Sequence, residues 1–264
     1  MEDQFRLSAR KQRALMRYNR KLKIYTPQIR EYAFIIGAMK CGTTTLYEYL
    51  ARHPQVYPNL VAKEPEFFSR SESPENLRDY FRQWLVPPAG RAIALDGSTG
   101  YTKRPNFPNV AARLARLEGK KHFIYMVRDP ISRIESHIVQ NMEAGFNKQS
   151  FKLEELYHHI KVSSYAYQLE PYRDAFPVAE FLIIDLADFA QDPIGVVEKV
   201  HQHLGLHKQQ VSKIAPMNSR SSKGESAKFR LPDEVKQQLR AKLAPEMKRF
   251  QEEWNFDVRR WGFN

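Results

Sequence analysis

The stretch FIIGAMKCGTTTL, residues 34–46, decides the fold. A short apolar run meets a glycine, a tight loop and three consecutive threonines, the pattern of a buried strand that turns into a helix. Gly37 and Gly42 have the spacing of a Walker A phosphate loop, in which a lysine directly follows the second glycine. Here Thr43 stands in that place and the lysine comes earlier, as Lys40, inside the loop. The backbone still predicts an anion cradle, because the N–H groups of residues 42–45 would point out of a helix N-terminus toward negative charge. Lys40, Cys41, Gly42, Thr43, Thr44 and Thr45 are therefore candidate ligand-binding residues. What moves is the ammonium: it belongs near the outermost group of a 5′-phosphate, not along a triphosphate.

Outward from this stretch, apolar runs alternate with helical ones. YAFIIG (32–37), AIALDG (92–97), HFIYMV (122–127) and EFLIID (180–185) are short, nearly continuous and rich in Ile, Phe and Val. Strands buried on both faces read this way. Ser73-Pro74, Asp129-Pro130 and Asp192-Pro193 each pair an N-cap residue with proline at the first helical position. Further helices are predicted over 107–118, ending at Gly119, over 193–204, ending at Gly205, and over 232–253, with Pro245 as a break or kink. This alternation predicts an α/β fold, a phosphate-loop-NTPase-like parallel sheet flanked by helices on both faces. Ligands should bind beyond the carboxyl ends of the strands, where Gly37, Asp96 and Arg128 fall. The most loop-like region is 207–230.

Composition bounds the partners. A chain of 264 residues, 42% hydrophobic, can build one large domain, and no apolar run approaches the length of a membrane span. The organisation expected is a basic helical arm, 1–30, before a single domain, 31–264. The start has no apolar signal core, and the lone Cys41 allows no internal disulfide, which predicts a reducing, cytoplasmic setting. A helix N-terminus would lower the Cys41 pKa; otherwise the residue is a small spacer. The formal charge of +12 asks for an anionic partner, and much of it lies in the arm, from Arg6 to Arg30. That arm reads as a solvated helix on the domain edge, as a peripheral membrane contact or, less naturally, as a nucleic-acid contact. No RNP-like interleaving of aromatic and basic residues occurs, so nucleic acid is not the expected partner.

The second constellation is HFIYMVRDPISRIESHI, residues 122–138. In phosphate-loop NTPases a strand here often ends in an aspartate that holds magnesium. This one ends in Arg128, followed by a helix that Asp129 would cap, with Arg133, Ser136 and His137 along it. A guanidinium at a strand end with a serine two turns on suits a terminal phosphate dianion. The alternative is that Arg128 merely pairs with Asp129 or a helix terminus.

At these two segments the chain resembles the sulfotransferases that use 3′-phosphoadenosine-5′-phosphosulfate (PAPS), in particular their heparan-sulfate O-sulfotransferase-like and bacterial branch. GAMKCGTTTL is similar to the family's 5′-phosphosulfate loop, with Lys40 in the place of its catalytic lysine. VRDPISRIESH is similar to the 3′-phosphate motif, with Arg128 and Ser136 in the binding places. KEPEFF (63–68) resembles the family's K-E-x-H-F-F segment, FLIIDLADFAQDP…HQHLGL its late strand and helix, and RSSKGESAK (220–228) its basic closing loop. From that loop Arg220, Ser222, Lys223 and Gly224 are carried over as nucleotide-binding candidates.

The resemblance implies transfer of a sulfuryl group from PAPS to an acceptor, releasing PAP, with no metal. Lys40 would meet the bridging oxygen where charge grows, a donor worth about 3–4 kcal/mol in comparable sites. Glu64 would take the acceptor's proton, given a pKa raised by burial beside Phe67 and Phe68. An ion pair of Glu64 with Lys63 or an arginine is the competing reading, and His137 is a second candidate base. His53 reads as structural. Two departures bear on the acceptor. Glu66 stands where the family has histidine, adding negative charge on the acceptor side. In DGSTGY (96–101), Gly97 stands where glycan-modifying members have lysine. Glycans, glycolipids, small alcohols and phenols stay open as acceptors. A nucleotide kinase of the same fold, or a non-catalytic protein that binds PAP or nucleic acid, is the alternative.

Overall fold

The computed structural model describes residues 29–70, 77–84, 92–145, 151–215 and 229–264. The basic arm through residue 28, the Ser73-Pro74 cap and the loop residues Arg220, Ser222, Lys223 and Gly224 lie outside the described residues.

Strands β1 (Glu31–Gly37), β2 (Val56–Pro58), β3 (Ile93–Asp96), β4 (Lys120–Val127) and β5 (Phe181–Asp185) form one sheet in the order β2-β3-β1-β4-β5. Every pairing is parallel, with Glu31 opposite both Ile93 and Lys120, and Phe123 opposite Phe181. Parallel neighbours need crossovers, and helices supply them. These are α1 (Thr43–Leu50), α2 (Phe67–Arg70), α3 (Leu77–Phe81), α4 (Val110–Ala115), α5 (Pro130–Glu143), α6 (Tyr157–Ser163), α7 (Tyr165–Ala175), α8 (Leu186–Gln191), α9 (Pro193–His203) and α10 (Asp233–Trp254). Helix α9 packs on α1, α8 and β5; on the other side α7 packs on α4, α6 and α10. With both faces covered, Tyr32 to Ile36 are all buried, which is why β1 reads as continuous apolar sequence. Phe34, Phe123 and Phe181 stack in a row across β1, β4 and β5, with centroids 5.9 and 4.9 Å apart.

Strand β1 sits between β3 and β4; the chain runs from it to β2 and β3 on one side, then crosses past it from β3 to β4 on the other. A crevice opens at such a switch point, outside the carboxyl ends of the strands. The loop after β1, the 3₁₀ turn Thr99–Thr102 after β3 and the start of α5 after β4 all converge there.

Two caps form as the sequence implies. The Asp129 carboxylate accepts from the Ser132 N–H at 2.8 Å, with Pro130 opening α5. Asp192 accepts from the Gly195 N–H at 2.9 Å, with Pro193 opening α9. Elsewhere the elements differ. The helix expected over 107–118 starts only at Val110, after Asn109 in a left-handed conformation (φ 63°). Pro245 does not break α10, which continues to Trp254 because Leu239, Leu243, Met247 and Phe250 form one buried stripe on both sides of it. Strand β2 is a three-residue edge strand that contains Pro58. No described helix is long and apolar enough to cross a membrane.

Candidate active site

The loop after β1 is pinned from below. The Ala38 N–H donates to the Met126 carbonyl at 2.7 Å, and the Thr102 hydroxyl donates to the Ile36 carbonyl at 2.6 Å. Gly42 precedes α1 in a left-handed conformation (φ 83°), and a Cβ there would meet Leu186 Cδ1 at 2.6 Å. Lys40 is also left-handed, at φ 69°, a geometry that costs a side-chain-bearing residue roughly 1–3 kcal/mol. Its carbonyl is turned to Arg128, whose Nη1 donates to it at 3.3 Å. The loop after β1 and the Arg128 segment are thus in direct contact. Thr43 and Thr44 head α1, where helix geometry leaves backbone N–H groups without intrahelical acceptors. Cys41 is fully buried, its thiol on the Met39 carbonyl at 3.7 Å. Burial pushes that thiol up to about 11, so the lowering expected at a helix N-terminus is overridden and Cys41 is a spacer.

Arg128 does not pair with Asp129, whose Oδ2 is taken up by the Ser132 N–H and hydroxyl. Behind it, Arg133 is wholly buried, with Nε donating to Ser163 Oγ at 2.6 Å and Nη2 to the His159 carbonyl at 2.9 Å. Its Nη1 has no partner among the described residues. Neither arginine forms an ion pair among the described residues. Two adjacent guanidinium groups without a carboxylate, one carrying an orphaned buried N–H, form a donor set suited to an anion. Ser136, further along the same helix α5, is half-buried.

Across the crevice, KEPEFF is clamped to the turn after β3. Asp96 is buried and accepts from the hydroxyls of Tyr80 (3.0 Å), Tyr101 (2.9 Å) and Ser98 (2.6 Å) and from the Ser98 N–H (3.0 Å). Burial still pushes its carboxyl up to about 6. Ser98 Oγ in turn accepts the Glu66 N–H at 2.9 Å. The Gly100 N–H donates to Glu66 Oε1 at 2.8 Å, and the Ser69 hydroxyl donates to Glu66 Oε2. Glu66 is therefore buried against its own segment and does not extend the acceptor side as the sequence suggested. A Cβ at residue 100 would lie 2.1 Å from Glu66 Oε2, so Gly100 and Glu66 require one another.

This clamp leaves Glu64 facing the crevice, about a third exposed. Its Oε1 accepts from Lys63 Nζ at 2.7 Å, and its Oε2 from the Thr99 hydroxyl at 2.7 Å and N–H at 3.3 Å. Burial pushes the carboxyl up, but the Lys63 ammonium, the Thr99 hydroxyl and the more distant Lys103 outweigh it. The group is held below the usual carboxylate range, opposite to the elevation expected from Phe67 and Phe68. Lys63 Nζ also donates to Thr43 Oγ1 at 3.0 Å, joining this side to the phosphate loop.

The histidines take less part. His137 is buried, its ring 4.4 Å from that of His159, and burial with the nearby Arg133 cation holds it neutral. His53 accepts the Gln55 N–H on Nδ1 and bonds the His207 carbonyl through Nε2, a structural role as expected. The sequence named Lys63 only as a competing ion-pair partner of Glu64, and that pair forms; Thr99 and the Asp96 clamp were missed as parts of the site. Asp96 to Tyr101 were visible only as a segment, and Tyr80 carried no signal.

A family model for the sulfotransferase domain matches residues 30–250. Heparan sulfate glucosamine 3-O-sulfotransferase 3A1 of Mus musculus is 30% identical over 188 residues, 66% of this chain and 45% of that protein. Heparan sulfate glucosamine 3-O-sulfotransferase 3B1 of Homo sapiens is 30% identical over 188 residues, 66% of this chain and 46% of that one. The chain thus spans about half the length of these curated relatives. A sulfotransferase from Alicyclobacillus acidocaldarius superposes with a TM-score of 0.72 at 25% identity, covering 88% of this chain and 98% of that one. The matched span runs from β1 into α10 and takes in the loop, the clamp and the Arg128 helix, and the chain belongs to the sulfotransferase family.

Proposed function

We propose that this protein moves a sulfuryl group from PAPS to an acceptor hydroxyl and releases PAP, within a single unit spanning 31–264. The observation that carries the reading is the Arg128–Lys40 hydrogen bond, which brings the guanidinium of one phosphate motif onto the lysine loop of the other. PAPS supplies an activated sulfuryl group on a phosphate leaving group. Lys40 donates to the bridging oxygen as it gains charge, a role that needs a cation fixed in the loop. Backbone N–H groups at Gly42, Thr43, Thr44 and Thr45 hold the 5′-phosphate, while Arg128 and Ser136 hold the 3′-phosphate. Cys41 contributes only backbone, and Arg220, Ser222, Lys223 and Gly224 complete the nucleotide site from the closing loop.

Glu64 takes the acceptor proton. The clamp from Asp96 through Ser98 and Glu66 fixes the segment that presents it. The relatives named above support a carbohydrate hydroxyl as acceptor, and glycine at 97 argues against a densely anionic chain. Glycolipids and small alcohols or phenols remain acceptors to screen. For the basic segment before residue 29 we keep the reading its sequence favours, a solvated arm, with peripheral membrane contact as the alternative to test.

Transfer of labelled sulfate from PAPS to pooled glycan, lipid and small-alcohol acceptors tests the reading. Lys40→Ala should slow transfer by about 10²-fold or more, as expected for loss of a donor aimed at developing charge. It should keep most PAP affinity, because backbone amides form the cradle. Turnover within about threefold of wild type would remove Lys40 from the leaving group.

A further inference from the structure

Lys63 is the residue that touches both halves of the site, and nothing in the established chemistry of the loop requires it. Its side chain is 10% exposed and its ammonium bridges Thr43 Oγ1 at 3.0 Å and Glu64 Oε1 at 2.7 Å. The stem lies over Gly97. A Cβ there would come within 3.2 Å of Lys63 Cε and 2.8 Å of Tyr47 Cδ2, so the glycine at 97 clears the path the lysine takes.

Lys63 has no acceptor atom, so the direction of both bonds is fixed. Thr43 Oγ1 must accept, and its single proton is left to point away from Lys63. Thr43 opens α1, so a hydroxyl polarised from behind by an ammonium is a stronger donor to an anion at that helix end. On the other side the same ammonium occupies one Glu64 oxygen, while Thr99 occupies the other. The charged groups around the pair are Glu66 from its own segment and Lys103 from the turn after β3. Lys103 opposes Lys63 and supports an ionised Glu64.

We propose that Lys63 is a positioning residue serving both halves of the site at once: it orients the Thr43 hydroxyl proton toward the 5′-phosphate of the nucleotide and holds the Glu64 carboxylate in place. The nucleotide half of this inference rests on the sulfotransferase reading; the Glu64 half does not.

Two measurements test it, neither of them turnover. The first is PAP affinity, by calorimetry, in Lys63→Met, Thr43→Val and the double variant. If Lys63 acts through Thr43, each single change weakens binding by about tenfold and the double is scarcely worse than either. Losses that multiply would mean Lys63 acts only as a distant charge, and would overturn the Thr43 link. The second is the titration of the Glu64 carboxyl by carbon NMR, assigned with Glu64→Gln. Lys63→Met should raise the midpoint, and Lys63→Arg should restore it. An unmoved midpoint would overturn the Glu64 link. Should Lys63→Met not fold, Lys63→Gln removes the charge while keeping a donor. If PAP fails to bind wild type, the sulfotransferase reading fails, while the Glu64 titration still reports on Lys63.

Discussion

Glu64 and Glu66 stand two residues apart and have opposite fates, which separates the carboxylate we propose as base from one that holds the segment together. Glu64 opens to the crevice, while Glu66 is buried on Gly100 and Ser69. Glu64→Gln keeps the shape and removes the basicity, so turnover should fall by about 10²–10⁴-fold with PAP affinity nearly unchanged. Because Lys63 and Thr99 outweigh burial, the Glu64 pKa is held below the ordinary glutamate value. A base works when ionised, so the acidic limb of kcat/KM, which reports the free enzyme, should appear only below that value. An acidic limb near pH 6 to 7 would assign the base elsewhere. Glu66→Gln should instead lower stability and leave the acceptor KM nearly unchanged, because the carboxylate faces the protein. A dead Glu66→Gln with an active Glu64→Gln would reverse the two assignments.

At the scale of elements, the contact between KEPEFF and the turn Thr99–Thr102 holds the acceptor side together. Gly100→Ala places a methyl against Glu66 Oε2, the end of a buried side chain already held by the Gly100 N–H and the Ser69 hydroxyl. Overpacking of this kind costs about 1–3 kcal/mol, which urea unfolding would measure. Glu66→Ala in the same chain vacates the space, so the double variant should lose less than the two single losses combined. Strict additivity would mean that residue 100 does not bear on Glu66. None of this pairing could be read from sequence, because it joins residues 34 apart through a left-handed Glu66 (φ 55°). The long strands were legible because burial on both faces leaves an unbroken apolar run, as in Phe34–Ile36. Val56–Pro58 was not, since three residues with a proline carry no pattern. Pro245 misled for the opposite reason: local propensity disfavours helix there, but the stripe from Leu239 to Phe250 decides it through packing.

For the whole molecule, the question is how a chain of formal charge +12 holds a half-buried and a fully buried guanidinium that form no ion pair among the described residues. Arg128 and Arg133 sit close together behind the loop without an ion pair among the described residues, and burial lowers the Arg133 pKa. The two motifs stood out in the sequence because residue type and spacing alone suggest an anion site, as with Lys40 and Arg128. That the two motifs meet is a property of the assembled fold, visible only in the bond from Arg128 to the Lys40 carbonyl. An anion that settles this charge should stabilise the protein strongly and without metal. PAP at 100 times its Kd adds about 2.7 kcal/mol. For a chain of this size each kcal/mol moves the melting temperature by about 2–4 °C, giving a rise of about 5–10 °C. The shift should survive chelator and shrink as salt screens the arginines. Adenosine 5′-phosphosulfate, without a 3′-phosphate, should give a smaller shift than PAP, and Arg128→Ala should erase most of that difference. A larger rise with MgATP than with PAP would move the protein to the kinases of this fold, because only a triphosphate site gains from the metal.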